Sequence, residues 1–389
     1  MDEFAEGIVT PIVKYQPLEK KKFQPWHKPR KQWCRYNQWL LGLSWVIDTA
    51  DGFNGEDSEK TFNYLGLPGD DLLDLRLFAD GCQRKGVKLK YLGFKTTNTN
   101  ELRLSESELH KKRSVASGSK MLVEPLESLA RKESSAYVEA KQYNGFHMIN
   151  FDLCKSIAKP KLSGDTYFEA LGNLLELQTN YMREPWTLFI TTYACKESVI
   201  DGVMKPLLMA VKDNNDKNPT FTGKLRDELL IEAESVVNAI EDLSLLTEQE
   251  FFDLFALGLS KWLLKICLSV SKAWKVVMTP SCKYMTGGSS RGGEPNMLSL
   301  AFRFEYVHQP ANDEYDLISP RKSAEEVSEL DSALDMVTKV GEIFNLDLNL
   351  ENNKKLAGEL AEHSADLLAD ARYEREEYFD WVKAGCPSS

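Results

Sequence analysis

The feature that most constrains this chain is a repeated alternation of strand-like and helical segments through its first half. Residues 61–65 read as a strand that breaks at L-G-L-P-G (65–69). The next run, D-D-L-L-D-L-R-L-F, sets Leu72, Leu73, Leu75 and Phe78 near helical spacing with acids in its first turns, which suits a helix N-terminus. V-K-L-K-Y-L-G-F (87–94) is a second strand, a helical stretch lies within 105–143, and G-F-H-M-I-N-F-D-L (145–153) is a third strand. Residues 165–183 are helical, and W-T-L-F-I-T-T (186–192) is a fourth strand. Helices between strands imply crossover connections. The pattern predicts an α/β fold with a mostly parallel sheet covered on both faces.

After Ala194 the pattern becomes helical, over 225–246 and 248–275. It returns to two β-prone runs, V-V-M-T-P-S-C-K-Y-M and M-L-S-L-A-F-R-F-E-Y (297–306), joined by a Gly- and Ser-rich turn that includes Arg291. These predict an antiparallel pair. Residues 320–383 read as helical, with two helices separated near 345–353. At the other end, residues 1–24 read as a loose arm, and from Lys28 the spacing of Trp33, Tyr36 and Leu40 predicts a helix flanked by Arg30, Lys31 and Arg35. The expected organisation is a basic arm (1–26), a sheet domain (27–310) with a helical insertion at about 200–277, and a helical extension (311–389).

Charge separates these parts. Residues 311–389 hold 19 Asp and Glu against 8 Lys and Arg, the whole of the net charge of −11, so residues 1–310 carry 40 of each. Leu330, Leu334, Val337 and Val340, then Leu356, Leu360, Leu367 and Leu368, still give that acidic segment an apolar stripe that must be buried against something. Its own sheet domain and a basic partner protein both answer that need. Between Lys14 and Arg35 lie eight Lys and Arg and one acid, Glu19. Trp26, Trp33, Tyr36 and Trp39 interleave with those cations, a pattern for stacking on nucleic-acid bases beside phosphate contacts. The same aromatics would serve to pack the helix on the sheet while the cations stay in water.

Seven scattered cysteines with no C-x-x-C pair fit reduced thiols. The start, MDEFAEGIVTPIV, lacks the basic and apolar regions of a signal peptide, and charges interrupt the most apolar stretch, 251–277. The expectation is a cytoplasmic protein without a membrane span. The five histidines show no metal-ligand spacing, so no metal is expected.

Four alternating strands, a helical insertion and a late hairpin form the strand plan of class I methyltransferases, a three-layer Rossmann-like sheet of seven strands with one reversed strand at its edge. With H-K-P-R-K-Q-W-C-R-Y-N-Q-W (27–39), Y-L-G-L-P-G-D-D-L-L-D-L-R (64–76), F-H-M-I-N-F-D-L-C (146–154) and L-F-I-T-T (188–192), the chain resembles the bacterial "three-Cys-motif partner" proteins. These are methyltransferase-like chains often found near mobile-element and phage-defence genes. The resemblance covers roughly residues 27–310.

It implies S-adenosylmethionine as cofactor, with Gly66, Gly69 and Asp70 in the turn that would cradle it at a helix N-terminus. A tight strand-to-helix turn accounts for the same glycines. The family's second strand ends in a carboxylate that holds the ribose; here it ends Gly93-Phe94-Lys95, and the nearest acid is Glu101. Asp152, at the end of the third strand, takes the catalytic position facing the methyl group, or else caps the following helix. The functions implied are a methyltransferase-like subunit of a defence or mobile-element system acting on or near nucleic acid through Arg30, Lys31 and Arg35, or a catalytically inactive scaffold that binds a partner.

Overall fold

The computed structural model describes residues 21–54, 60–159, 164–270, 274–286, 295–307 and 327–387. The expected arm before residue 21, the Gly- and Ser-rich turn with Arg291, and the start of the extension lie outside the described residues. The strands are β1 (Thr61–Gly66), β2 (Lys88–Phe94), β3 (Lys120–Leu122), β4 (Met148–Asp152), β5 (Trp186–Tyr193), β6 (Trp274–Tyr284), β7 (Met297–Tyr306) and β8 (Phe344–Asn345). They form an eight-stranded sheet in the order β3-β2-β1-β4-β5-β7-β6-β8. All neighbours are parallel except β7, which runs against both β5 and β6. This is the methyltransferase-like Rossmann plan.

Three details differ from the expectation. The reversed strand lies inside the sheet rather than at its edge, because β6 of the hairpin folds outward and covers β7. The stretch 105–143, whose small residues at 117–119 suit an interruption, also holds an unexpected strand: helices Asn100–Leu109 and Ser135–Lys141 flank β3, whose three residues are too few to show a period. In the acidic extension four helices replace two, and β8 joins the sheet beside β6, so the sheet has eight strands rather than seven.

Side-chain alternation along each strand feeds two cores. Leu65, Ile149, Phe151 and Leu188 face one, closed by helices Tyr167–Tyr181, Asp201–Lys217, Glu248–Val270 and Glu329–Gly341. Phe62, Tyr64, Met148 and Phe189 face the other, closed by the leading helix and by Leu73–Arg84. Both faces of β4 are therefore dry, which is why Met148–Asp152 reads as an almost continuous apolar run.

The acidic extension straddles the sheet edge. Met336, Val337 and Val340 enter the first core, Leu346 and Leu360 the second, and Leu367 and Leu368 pack on Leu73 and Leu77. Its apolar stripe packs within the chain, with Leu330, Leu334 and Leu356 half-buried against the same cores. Lys261, fully buried, holds the start of helix Glu329–Gly341 by pairing with Glu329 and with Asn214 Oδ1 at 2.9 Å. No described helix is long and apolar enough to cross a membrane.

Candidate functional site

The leading helix does not run as one regular period. Pro29–Cys34 and Leu41–Thr49 are α-helical, but Arg35–Leu40 between them is a π-helical turn, a geometry that often marks functional positions. Lys31, Arg35 and Gln38, spaced i, i+4 and i+7, share one face of this helix, and each is buried. Gln38 bonds Ser299 Oγ at 2.7 Å and the Pro280 carbonyl at 3.1 Å. The Arg35 Nε donates to Asp74 Oδ1 at 2.7 Å. Lys31 Nζ pairs with Asp152 Oδ1 at the carboxyl end of β4 and lies 4.8 Å from the Trp39 ring. Burial opposes charge on Lys31, but the neighbouring Asp152 carboxylate outweighs it and holds the ammonium above its ordinary range.

Of these residues Arg35, Asp74 and Asp152 line a cleft of about 250 Å³ at the carboxyl ends of β1, β2 and β4. In open α/β sheets ligands bind in such crevices, where the strand order reverses. Here the reversal falls between β1 and β4. The turn after β1 contributes Gly69 and Asp71, the end of β2 contributes Lys95 and Thr96, and β4 contributes Asp152 and, just beyond it, Lys155. Leu72 adopts a left-handed backbone, φ 52°, to turn the chain into helix Leu73–Arg84, which begins with no side-chain cap. A leucine in that region costs on the order of 1 kcal/mol, and full burial of its side chain holds it there. Beneath the turn, Tyr64 Oη and both polar atoms of the Asn150 amide are buried without a hydrogen bond.

Each residue singled out from the sequence has a definite place. Gly69 lines the cleft, and a Cβ there would meet nothing within 4 Å. Gly66 does not line it. A Cβ on Gly66 would collide with the Tyr64 hydroxyl and approach the Asn150 carbonyl oxygen to 2.9 Å, so close packing of β1 on β4 demands this glycine. Asp70 reaches across to Lys95 Nζ at 2.8 Å. Asp152 lines the cleft.

Arg30 pairs with Asp347 at 2.9 Å, and Lys31 and Arg35 are internal. The expectation that these three cations flank the helix on its wet side is corrected: carboxylates of this same chain neutralise all of them, and two are buried. What the sequence reading missed is that polar residues at 31, 35 and 38 mark one face. That face turns inward where Asp152 and Asp74 of this chain meet Lys31 and Arg35.

The cleft fits an S-adenosylmethionine-like ligand only in part. The open space at Gly69 and the uncapped helix start suit the close approach of a nucleoside. The end of β2 does not: Lys95 stands where a carboxylate would hold the ribose, and Glu101 is taken by Lys21 at 2.7 Å and by Arg372. Among the described residues no group of three His, Cys, Asp or Glu could hold a metal ion.

A family model described as PP_RS20740-like matches residues 20–383, nearly the full chain. The chain belongs to the PP_RS20740-like family. No curated protein matches it. Among solved structures this family member is similar to PKMT2 from Rickettsia typhi, at 10% identity and a TM-score of 0.30, over 94% of this chain and 74% of that one. The fold assignment of this PP_RS20740-like protein rests on its strand order and not on that distant likeness.

Proposed function

We propose that this PP_RS20740-like protein is a methyltransferase-like subunit that binds an adenosine-type ligand in the cleft between β1, β2 and β4. The observation that carries the reading is the coincidence of that cleft with the reversal of strand order. S-adenosylmethionine is the natural first ligand to test, and Asp152 is the residue placed to meet a substrate beside it. The resemblance to three-Cys-motif partner proteins supports a role in a defence or mobile-element system, near nucleic acid. Calorimetric titration of the full chain with S-adenosylmethionine and S-adenosylhomocysteine tests the reading. Saturable binding of either supports it, and no binding at millimolar ligand contradicts it.

A second reading is favoured by the pairing in the cleft floor. Asp74 and Asp152 are each neutralised by a buried cation of the leading helix, and β2 lacks its acid. A protein with those features serves as a catalytically inactive scaffold that senses a ligand and presents its acidic extension to a partner. Ligand binding without methyl transfer to any nucleic acid or protein of the host would support it.

A further inference from the structure

We propose that the cleft selects an adenine mononucleotide that carries a phosphate on its ribose hydroxyl edge, and that Lys95 is the residue that selects it. The inference rests on the reading of the cleft as an adenosine site and adds the chemistry of the ligand. In a doubly wound sheet the group at the end of the second strand meets the ribose: an acid accepts hydrogen bonds from free hydroxyls, whereas a cation accommodates a phosphate.

Here that group is Lys95, directly after β2, lining the cleft with its side chain 26% exposed. Asp70, 2.8 Å away, pairs with the ammonium by charge at the mouth but without hydrogen-bond geometry, so the N–H donors of Lys95 remain for a ligand. Thr96, exposed beside it, adds a hydroxyl. Lys155, exposed after β4, lines the same cleft and has no charged partner among the described residues.

The other acids near the cleft are already paired. Asp71 is held by Lys21 at 2.7 Å and by the Tyr373 hydroxyl at 2.8 Å, Asp74 by Arg35, and Asp152 by Lys31. With Asp70 counted against Lys95, Lys155 leaves the cleft one positive charge in excess to meet a ligand. A phosphate satisfies it, and a bare ribose does not.

The test is calorimetry on the full chain with adenosine, S-adenosylhomocysteine, and adenosine 2′-, 3′- and 5′-monophosphate. The 2′- or 3′-phosphate should bind about tenfold tighter than adenosine, the effect of one charge-assisted hydrogen bond. Lys95→Glu should abolish that gain, and Lys95→Met, which keeps most of the stem, should abolish it too. Asp70→Asn, which removes the competing carboxylate, should enlarge it. Equal affinity for adenosine and all phosphates, or an equal gain from the 5′-phosphate, would overturn the inference while leaving the cleft an adenosine site. Absence of binding by every ligand would overturn both.

Discussion

Lys31 and Asp152, 121 residues apart in the chain, form an ion pair beneath the ligand cleft, with side chains 7% and 18% exposed. The pair ties the leading helix to the end of β4, so the helix and the cleft floor are one construction. A buried pair of this kind adds little net stability when intact, but breaking it leaves an uncompensated charge. Lys31→Met should therefore cost about 3–5 kcal/mol in urea unfolding. The double variant Lys31→Met/Asp152→Asn should recover most of that loss. Equal stability of Lys31→Met and the parent would show that the pair is not buried in solution.

The two glycines of the β1 turn should separate in their effects. Gly66→Ala forces a methyl group against Tyr64 and Asn150, and overpacking of this kind costs about 1–3 kcal/mol. At Gly69 an added Cβ meets no heavy atom within 4 Å, so the thermal midpoint of Gly69→Val should stay close to the parent's while adenosine-type ligands lose affinity in the filled cleft. A drop in midpoint for Gly69→Val as large as that for Gly66→Ala would contradict this division.

Acid should loosen the contact between the N-terminal segment and the cleft. Burial lowers the His27 imidazole below its ordinary range, and the histidine is neutral in the fold. Below about pH 6.5 the unfolded chain binds a proton there that the folded chain does not, so stability falls as pH falls. Asp71 adds to this at lower pH. Although burial opposes its charge, the nearby His27 and hydrogen bonds from Lys21 and the Tyr373 hydroxyl hold its carboxyl well below the usual range, so its contribution is present above about pH 4 and is lost as acid protonates it. Urea midpoints should decline from pH 7 to pH 5, and His27→Gln should flatten that decline. An unchanged slope in His27→Gln would remove the histidine as the cause.

The acidic extension should prove inseparable from the sheet. Met336, Val337, Val340, Leu360, Leu367 and Leu368 are all buried, and side chains of this size contribute about 1.5–3 kcal/mol each. Their sum matches the whole net stability of an ordinary domain. A chain lacking residues 327–387 should be insoluble on expression. A folded, monodisperse product would show instead that the extension is an add-on element free to dock elsewhere.

The order of strands, the hairpin and the cleft turn were legible because buried parallel strands and amphipathic crossover helices impose strong sequence periods. β8 was not, since two residues carry no alternation and Phe344–Asn345 is defined by its partners Cys282 and Lys283. The candidate site was legible at Gly69 and Asp152, which sit in the turn and at the strand end that the plan assigns. It was misread at Lys31 and Arg35 because cations at helical spacing ordinarily face water. Only the three-dimensional placement of Asp152 and Asp74 explains why these two face the sheet.

The central claim is that the cleft at the ends of β1, β2 and β4 is where this protein takes its ligand. Amide hydrogen exchange on the full chain, with and without a saturating adenosine-type ligand, tests it most directly. The account predicts slowed exchange confined to residues 67–75, 95–96 and 152–155. Bound ligand with unchanged exchange at those residues, or protection elsewhere in the chain, would contradict it.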